Sequence, residues 1–201
     1  MKQGKFITTI SETYRIPFGT VRLFVRELNK AGLLTSGAHG VNAPDMTALD
    51  AARVTIAILG TDKPTQADQA VETYGNLGVN RFYNQGDVPA FALNEEYCFV
   101  LEEILELFFG LQLLELGQMT ALEICREELQ ATMTFGHWVL KKSGGRSGSV
   151  VFDVDYETQQ KIHASEASRG KQTIARLKAS DLTEIAMSIN RESSAQTKES
   201  K

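Results

Sequence analysis

The residues best placed to do chemistry lie on one short segment, 18–30, near the start of the chain. Arg22 and Arg26 are four residues apart, so a helix would place both on the same side. An arginine can donate two hydrogen bonds to the edge of a guanine base or can bind a phosphate. This spacing therefore favours nucleic-acid recognition. The candidate DNA-binding residues on this segment and in the loop after it are Gly19, Thr20, Arg22, Arg26, Asn29, Lys30 and His39.

Two short helices with a tight turn between them are expected to position these residues. Pro17 fixes its own φ and disfavours helix at the residue before it, and Gly32 is typical of a helix end. Each segment has apolar residues at helical spacing. These are Phe6, Ile10 and Tyr14 in the first segment, and Phe18, Val21, Val25 and Leu28 in the second. The pattern predicts a helix-turn-helix, whose second helix enters a DNA major groove. The alternative is a helical hairpin with solvated arginines.

A glycine-bearing loop follows at residues 33–44. Winged helix-turn-helix domains place their wing directly after the recognition helix, where the loop tip would hold His39 near the phosphates or the minor groove. The simpler interpretation of His39 is a solvated loop residue. Thr47 is then expected to cap a helix over residues 48–59, with Asp50 as its partner.

The pattern in the middle of the chain predicts two more helices and a connection between them. Thr65 is expected to cap the first helix, and residues 79–93 have no clear period and are expected to connect the two halves. The strongest helical pattern is Asn94–Leu116, with Asn94 as its cap. Its apolar stripe is broad and its acidic stripe narrow, which indicates a central core helix or an interface between protomers.

The pattern in the last third of the chain predicts a β-hairpin followed by a third strand and a helix. The expected elements are strands over 129–139 and 149–156, a flexible basic turn with Lys141, Lys142 and Arg146, a strand over 172–177, and a helix over 181–189 capped by Ser180. The cations of the turn either contact phosphates or discourage pairing at a strand edge. Asp153 and Asp155 could bind a cation, although a solvent-facing strand explains them as well.

Charge is distributed unevenly along a chain whose net charge is −4. Residues 1–60 carry seven Lys or Arg against four Asp or Glu, and residues 61–120 carry two against ten. A basic head on an acidic middle is typical of a DNA-binding domain attached to an assembly or partner-binding domain. Few phosphates can be neutralised by one protomer, so we expect modest non-specific affinity.

No catalytic or metal-binding pattern stands out. The histidines and the two cysteines, Cys98 and Cys125, lack the spacing of a metal site, and the glycines at 144–148 lack the context of a phosphate loop. We expect buried thiols in a reducing compartment, no cofactor and no metal. No signal peptide or membrane span is expected, since glutamates interrupt the most apolar stretch. These features predict a cytoplasmic protein that is not an enzyme.

The head resembles the helix-turn-helix domains of phage and prophage DNA-binding proteins. The resemblance rests on residues 16–34, the glycine-bearing loop and the segment APDMTALDAA, and Arg22, Arg26 and Asn29 match the recognition-helix stripe of such domains. The layout is similar to MerR-type regulators and to small terminase subunits, which recognise phage genomes for packaging. Small terminases join such a head to an oligomerising helical middle and a β-rich tail that meets the large, ATP-hydrolysing subunit.

The expected fold class is α+β, with a winged helix-turn-helix head, a long central helix and a C-terminal region containing a β-hairpin. The expected divisions are a head at 1–78, a linker and acidic helix for assembly at 79–120, a small α+β region at 121–190, and a disordered tail at 191–201. The expected partners are double-stranded DNA, further copies of the chain and a second protein bound by the C-terminal region. The alternatives are a transcriptional regulator of MerR-like or repressor type and a structural protein that does not bind DNA.

Overall fold

Helices and an antiparallel sheet make up the part of the chain that the structure describes. The structure is a computed structural model, and it describes residues 1–37, 44–85, 89, 92, 99–111, 119–135, 148–154, 158 and 173–199, without the side chains of 81–85 and 192–199. Within these ranges there are six α-helices and one five-stranded sheet. The predicted α+β class is confirmed at this level.

Most helices lie in the first half of the chain and most strands in the second. The helices are α1 (Gln3–Tyr14), α2 (Phe18–Lys30), α3 (Ala48–Gly60), α4 (Ala67–Gly75), α5 (Leu101–Phe109) and α6 (Ala179–Glu199), with a 3-10 turn at Pro64–Gln66. The strands are β1 (Gly78–Gln85), β2 (Met119–Cys125), β3 (Gln130–Phe135), β4 (Gly148–Asp153) and β5 (Ile174–Lys178).

A three-residue turn joins α1 to α2, as the position of Pro17 predicts. Arg15 ends α1 with a left-handed φ of 56°, a conformation that costs a non-glycine residue about 1–2 kcal/mol. Gly32 follows α2 with a φ of 71°, and the amides of Gly32 and Leu33 donate to the carbonyls of Asn29 and Leu28. This pair of hydrogen bonds is the glycine-dependent helix end that the sequence predicts.

Helix α3 lies at the centre of the molecule. It packs against α2, α4, α5 and α6 and also touches β2 and β5. Its side chains are buried along most of its length, including Ala51, Ala52, Val54, Thr55, Ile56, Ala57 and Leu59. A helix that is apolar nearly all round is expected to be covered on all sides, which is what the packing provides.

The buried carboxylate of Asp50 ties both ends of the loop after α2 to the start of α3. Asp50 is only 1% exposed, and one of its carboxylate oxygens accepts a hydrogen bond from the Thr35 amide at 2.7 Å. The other oxygen accepts from the Thr47 amide at 2.6 Å and from the Thr47 hydroxyl at 3.0 Å. The Thr47 hydroxyl accepts in turn from the Asp50 amide, which confirms the predicted cap.

The sheet has the strand order β1-β4-β3-β2-β5, and every pairing in it is antiparallel. The predicted hairpin partners, β3 and β4, are paired, with Met133 opposite Val150. The predicted third strand is β5, which pairs with β2. Alternate residues of the central strands form one buried apolar face: Leu122, Ile124, Ala131, Met133, Val150 and Phe152.

The last helix brings the end of the chain back to its beginning. Helix α6 packs against α1 and α5 through its buried apolar side. Asn190 donates to the carbonyl of Phe109 at 2.8 Å and so satisfies a group at the end of α5. Side chains from the head, the sheet and α6 belong to one buried cluster. The predicted domain boundaries stay a prediction, and the core is continuous across them.

The prediction of a long central helix over Asn94–Leu116 is wrong. Phe99 and Val100 are not helical, because Val100 forms an isolated bridge with Gly78, and α5 begins only at Leu101. Leu111 has a φ of 54° and ends the helix. Leu101, Ile104, Leu105 and Phe108 of the apolar stripe are buried within the chain, mainly against α3, whereas Leu111 is 52% exposed. The buried part gives no support to an interface between protomers. Residues 93–98 and 112–118 lie outside the described residues.

Several smaller expectations also differ from the structure, and one lies outside the described residues. Thr65 lies in a 3-10 turn and does not cap α4, which begins after Gln66. Ser180 is inside α6, and the backbone of this helix continues to Glu199 where a disordered tail was expected. The expected connection at 79–93 contains most of β1, and β2 forms in a segment for which no element was predicted. The loop tip expected to form a wing, including His39, lies outside the described residues.

Replacing Asp50 with asparagine should destabilise the fold although the shape of the side chain is kept. An amide has one accepting oxygen, so Asp50→Asn would place an NH₂ group against the amide of Thr35 or Thr47. The variant thus loses a hydrogen bond to a charged acceptor, and such a bond contributes about 1.5–3 kcal/mol. Urea unfolding should show that loss. Asp68→Asn, an exposed first-turn residue of α4, is the matched control and should change stability by less than about 0.5 kcal/mol. Equal stability of both variants would contradict this role of Asp50.

Candidate nucleic-acid interface

One side of α2 is directed away from the core. The buried side of the helix consists of Val21, Phe24, Val25 and Leu28. The opposite side is exposed and is called here the outer face of α2; it consists of Gly19, Arg22, Leu23, Arg26 and Lys30. Three of these five residues are cations, so the outer face has the charge that a phosphate backbone attracts.

Two of the cations share one carboxylate. Arg26 donates to Glu27 through Nε at 2.9 Å and Nη2 at 2.7 Å, and Lys30 Nζ lies 2.9 Å and 3.0 Å from the two oxygens of Glu27. The hydrogen bonds from Lys30 and then from Arg26 hold the pKa of Glu27 below its usual value. Both cations stay well exposed, at 59% and 63%, so these contacts are surface ion pairs of small energy.

Arg22 differs from the other two cations of the outer face. It is exposed and has no ion pair with any carboxylate in the described part of the chain. An anion that approaches α2 would therefore meet Arg22 directly, whereas it would compete with Glu27 for Arg26 and Lys30. The face can bind anionic groups, with a net charge reduced by one carboxylate at its edge.

The structure brings most of the predicted site residues together on α2. Gly19, Arg22, Arg26 and Lys30 are exposed, while Thr20 and Asn29 are half-buried at the flanks. His39 lies outside the described residues, as do the basic turn residues 141–147. The predicted apolar side needs one correction: Phe18 is 45% exposed, and Phe24 takes its place in the core at 2%. Residue 18 lies in the first turn, next to Pro17, at the edge of the packed side.

Two residues of this region were missed in the sequence and could have been found there. Leu23 falls on the arginine side of a helix with 100° per residue, and it is 41% exposed. Glu27 precedes Lys30 by three positions, a spacing at which opposite charges meet on a helix. Both signals are local in the sequence: one is a position on the helix and the other is a spacing of three residues.

A groove of about 420 Å³ lies beside the end of α2. Its lining includes Arg53, which donates to the Leu33 carbonyl at 2.6 Å and makes two hydrogen bonds with Glu102 at 3.0 Å and 3.2 Å. This guanidinium thus connects the end of α2 to the start of α5. The remaining acidic residues of the lining, Asp68 and Glu72, give the groove a charge opposite to that of the outer face.

The other candidate groups have structural surroundings where the structure describes them. Asp153, expected on a solvent-facing strand, is 5% exposed, accepts from Gln130 at 3.0 Å and accepts from the Val154 amide at 2.8 Å. Cys125 is a half-buried free thiol whose pKa is raised by burial. The described residues contain no cluster of three or more His, Cys, Asp or Glu able to hold a metal ion. All three histidines are outside that part of the chain.

None of the helices in the described ranges has the length and apolar character needed to cross a membrane. Comparison of the chain with protein-family models, with curated proteins and with solved structures finds no match.

Removing the carboxylate of Glu27 should strengthen binding of this face to duplex DNA. Glu27→Gln frees Arg26 and Lys30 from their ion pairs and removes a negative charge that would repel phosphates. If one more phosphate is neutralised, the plot of log affinity against log salt becomes steeper by about 0.9. Fluorescence anisotropy over a salt series measures both quantities.

Glu184→Gln, an exposed residue of α6, makes the same charge change away from α2 and is the control. It should leave the slope unchanged. Weaker binding by Glu27→Gln would mean that the carboxylate holds the two cations in the geometry needed for binding.

Proposed function

We propose that this protein binds double-stranded DNA by placing the outer face of α2 in a major groove. The observation that carries the proposal is the combination on one helix of a fully packed inner side and an exposed, cationic outer side. Arg22 and Arg26 lie one turn apart there, at the spacing that allows contacts to neighbouring base edges or phosphates. The turn at residues 15–17 and the glycine end at Gly32 fix both ends of this helix.

The context of the helix supports a helix-turn-helix over a plain helical hairpin. The support is the way in which the loop after α2 is held. Here Asp50 fixes both of its ends, and Arg53 holds the carbonyl of Leu33. A loop anchored directly after the second helix is where a wing would sit, so the winged form is part of the proposal.

The biological setting that we propose is a phage or prophage DNA-binding protein of small-terminase type, without catalytic activity of its own. The support is the resemblance of the head to such domains and the order of a basic head followed by a β-rich end. A transcriptional regulator of MerR-like or repressor type is the alternative within the DNA-binding class. Packaging predicts binding to the protein's own genome end together with a large terminase subunit, whereas regulation predicts a site beside a promoter.

Assembly of several chains is a further part of the proposal. The outer face of α2 offers three cations, and few phosphate contacts give weak binding at physiological salt. Linking heads in one particle raises the effective concentration of the second contact, which increases affinity without new contacts. Light scattering should therefore give a mass of at least two chains of 22.2 kDa. A monomer at micromolar concentration would contradict this part and leave single-head binding in place.

Removing both arginines of the outer face should weaken DNA binding and leave the fold intact. A base-reading arginine contributes roughly 1–3 kcal/mol, so Arg22→Ala/Arg26→Ala should bind at least about tenfold more weakly. If the two residues contact phosphates instead, the salt slope should fall by about 2. Neither side chain belongs to the core, so the melting temperature should be unchanged.

The control for this variant carries the same charge change elsewhere. Arg176→Ala/Arg191→Ala removes two exposed cations, from β5 and α6, and should bind like wild type. An equal loss of affinity in both double variants would show that DNA binding depends only on the net charge of the protein and not on α2. Unchanged affinity and slope in the Arg22/Arg26 variant would remove α2 from the interface.

A further inference from the structure

Leu23 is an exposed apolar side chain beside the row of cations formed by Arg22, Arg26 and Lys30, and Glu27 follows it by four residues. It is 41% exposed and lies on the outer face of α2, next to Arg22 in sequence and one turn before Arg26. Leu111 and Ile174, which are also exposed, lie at the end of a helix and the start of a strand. Leu23 is held in the interior of a 13-residue helix, so its orientation is fixed by the packing of the opposite side.

The surface around Leu23 leaves its side chain open towards the start of α2. Gly19 precedes it by four residues, the position from which a side chain would lie against it on a helix. Gly19 has no Cβ, and a Cβ built there would meet nothing within 4 Å. On the other side, Arg26 and Lys30 are drawn to Glu27. A partner surface could therefore pack against the exposed part of Leu23.

The major groove of DNA presents one apolar group that matches such a side chain. The C5-methyl group of thymine projects into the groove beside hydrogen-bonding edges, and apolar side chains contact it. Guanine edges in the same groove are matched by arginine. An outer face with a leucine beside two arginines therefore has the chemistry to read a methylated pyrimidine next to guanine, and its cations supply the charge complementarity to DNA.

We infer that Leu23 is a specificity-determining residue that contacts the C5-methyl group of a pyrimidine in the major groove. The inference rests on the proposed DNA binding by α2 and adds which chemical group is read. Thymine supplies this methyl group in ordinary DNA, and 5-methylcytosine carries the same group.

The test begins with the preferred duplex of the full-length protein, selected from a random-sequence pool. Each thymine of that duplex is then replaced in turn by uracil, which differs only in lacking the methyl group. Burial of one methyl-sized group corresponds to about fourfold in affinity, so one or two positions should show a loss of about this size. Leu23→Ala should bind the thymine and uracil duplexes equally well.

The control is Met187→Ala, which shortens a side chain of similar exposure, 44%, on α6. This variant should keep the wild-type preference for thymine over uracil. Both variants should melt at the wild-type temperature, because neither side chain is in the core. At the sensitive position, cytosine is also compared with 5-methylcytosine. If methylation of cytosine raises the affinity of wild type but not of Leu23→Ala, Leu23 contacts the methyl group of both thymine and 5-methylcytosine. If methylation does not raise the affinity of wild type, the contact is specific to thymine.

The inference is overturned if uracil is tolerated at every position, or if Leu23→Ala keeps the wild-type preference. In either case the affinity of wild type for the selected duplex leaves DNA binding itself intact. If the full-length protein enriches no sequence and binds no duplex at low salt, the proposed function fails and the inference fails with it. The two failures are thus distinguishable in one set of measurements.

Discussion

The structure depends on the burial of α3 and on what its few polar side chains do inside the core. A helix surrounded by other elements can carry polar groups only if each finds a partner, since an unpaired buried group costs free energy. Asp50 holds the loop after α2, and Arg53 holds the end of α2 and the start of α5. Thr55 shares a hydrogen bond of 2.8 Å with the phenol of Tyr14 on α1. Each of these hydrogen bonds fixes the position of another element relative to α3.

This arrangement explains why α2 can present a defined surface although it lies at the edge of the molecule. Its inner side packs on the core, and its end is held by the glycine turn and by Arg53. Both ends of the loop that follows, at Thr35 and Thr47, are hydrogen-bonded to Asp50. A further bridge, Arg126 to Asp62 at 2.7 Å and 3.0 Å, with a hydrogen bond from Arg126 to the Leu59 carbonyl, ties the β2–β3 turn to the end of α3. These contacts hold α2 from the side away from the outer face, as the proposed contact of α2 with DNA requires.

Features set by residues close in sequence were predictable, and features set by distant contacts were not. The cap formed by Thr47 and Asp50 and the end of α2 at Gly32 each depend on a few neighbouring residues. The start of α5 depends on a bridge between Val100 and Gly78, which a helical pattern cannot reveal. Strand β1 lies at a sheet edge with one paired neighbour, and its sequence has no alternation to mark it. The cationic side of α2 was predictable from spacing, whereas the burial of Phe24 in place of Phe18 depends on how the helix packs.

The central claim is that α2, and not another basic segment, contacts DNA. Amide chemical shifts of the isotope-labelled full-length protein, followed during titration with a short duplex, test it residue by residue. The account predicts that the largest changes fall on the outer face of α2, at Gly19, Arg22, Leu23, Arg26 and Lys30, with small changes across β2 and β3. Changes centred on Lys141, Lys142 and Arg146, with α2 unaffected, would contradict it.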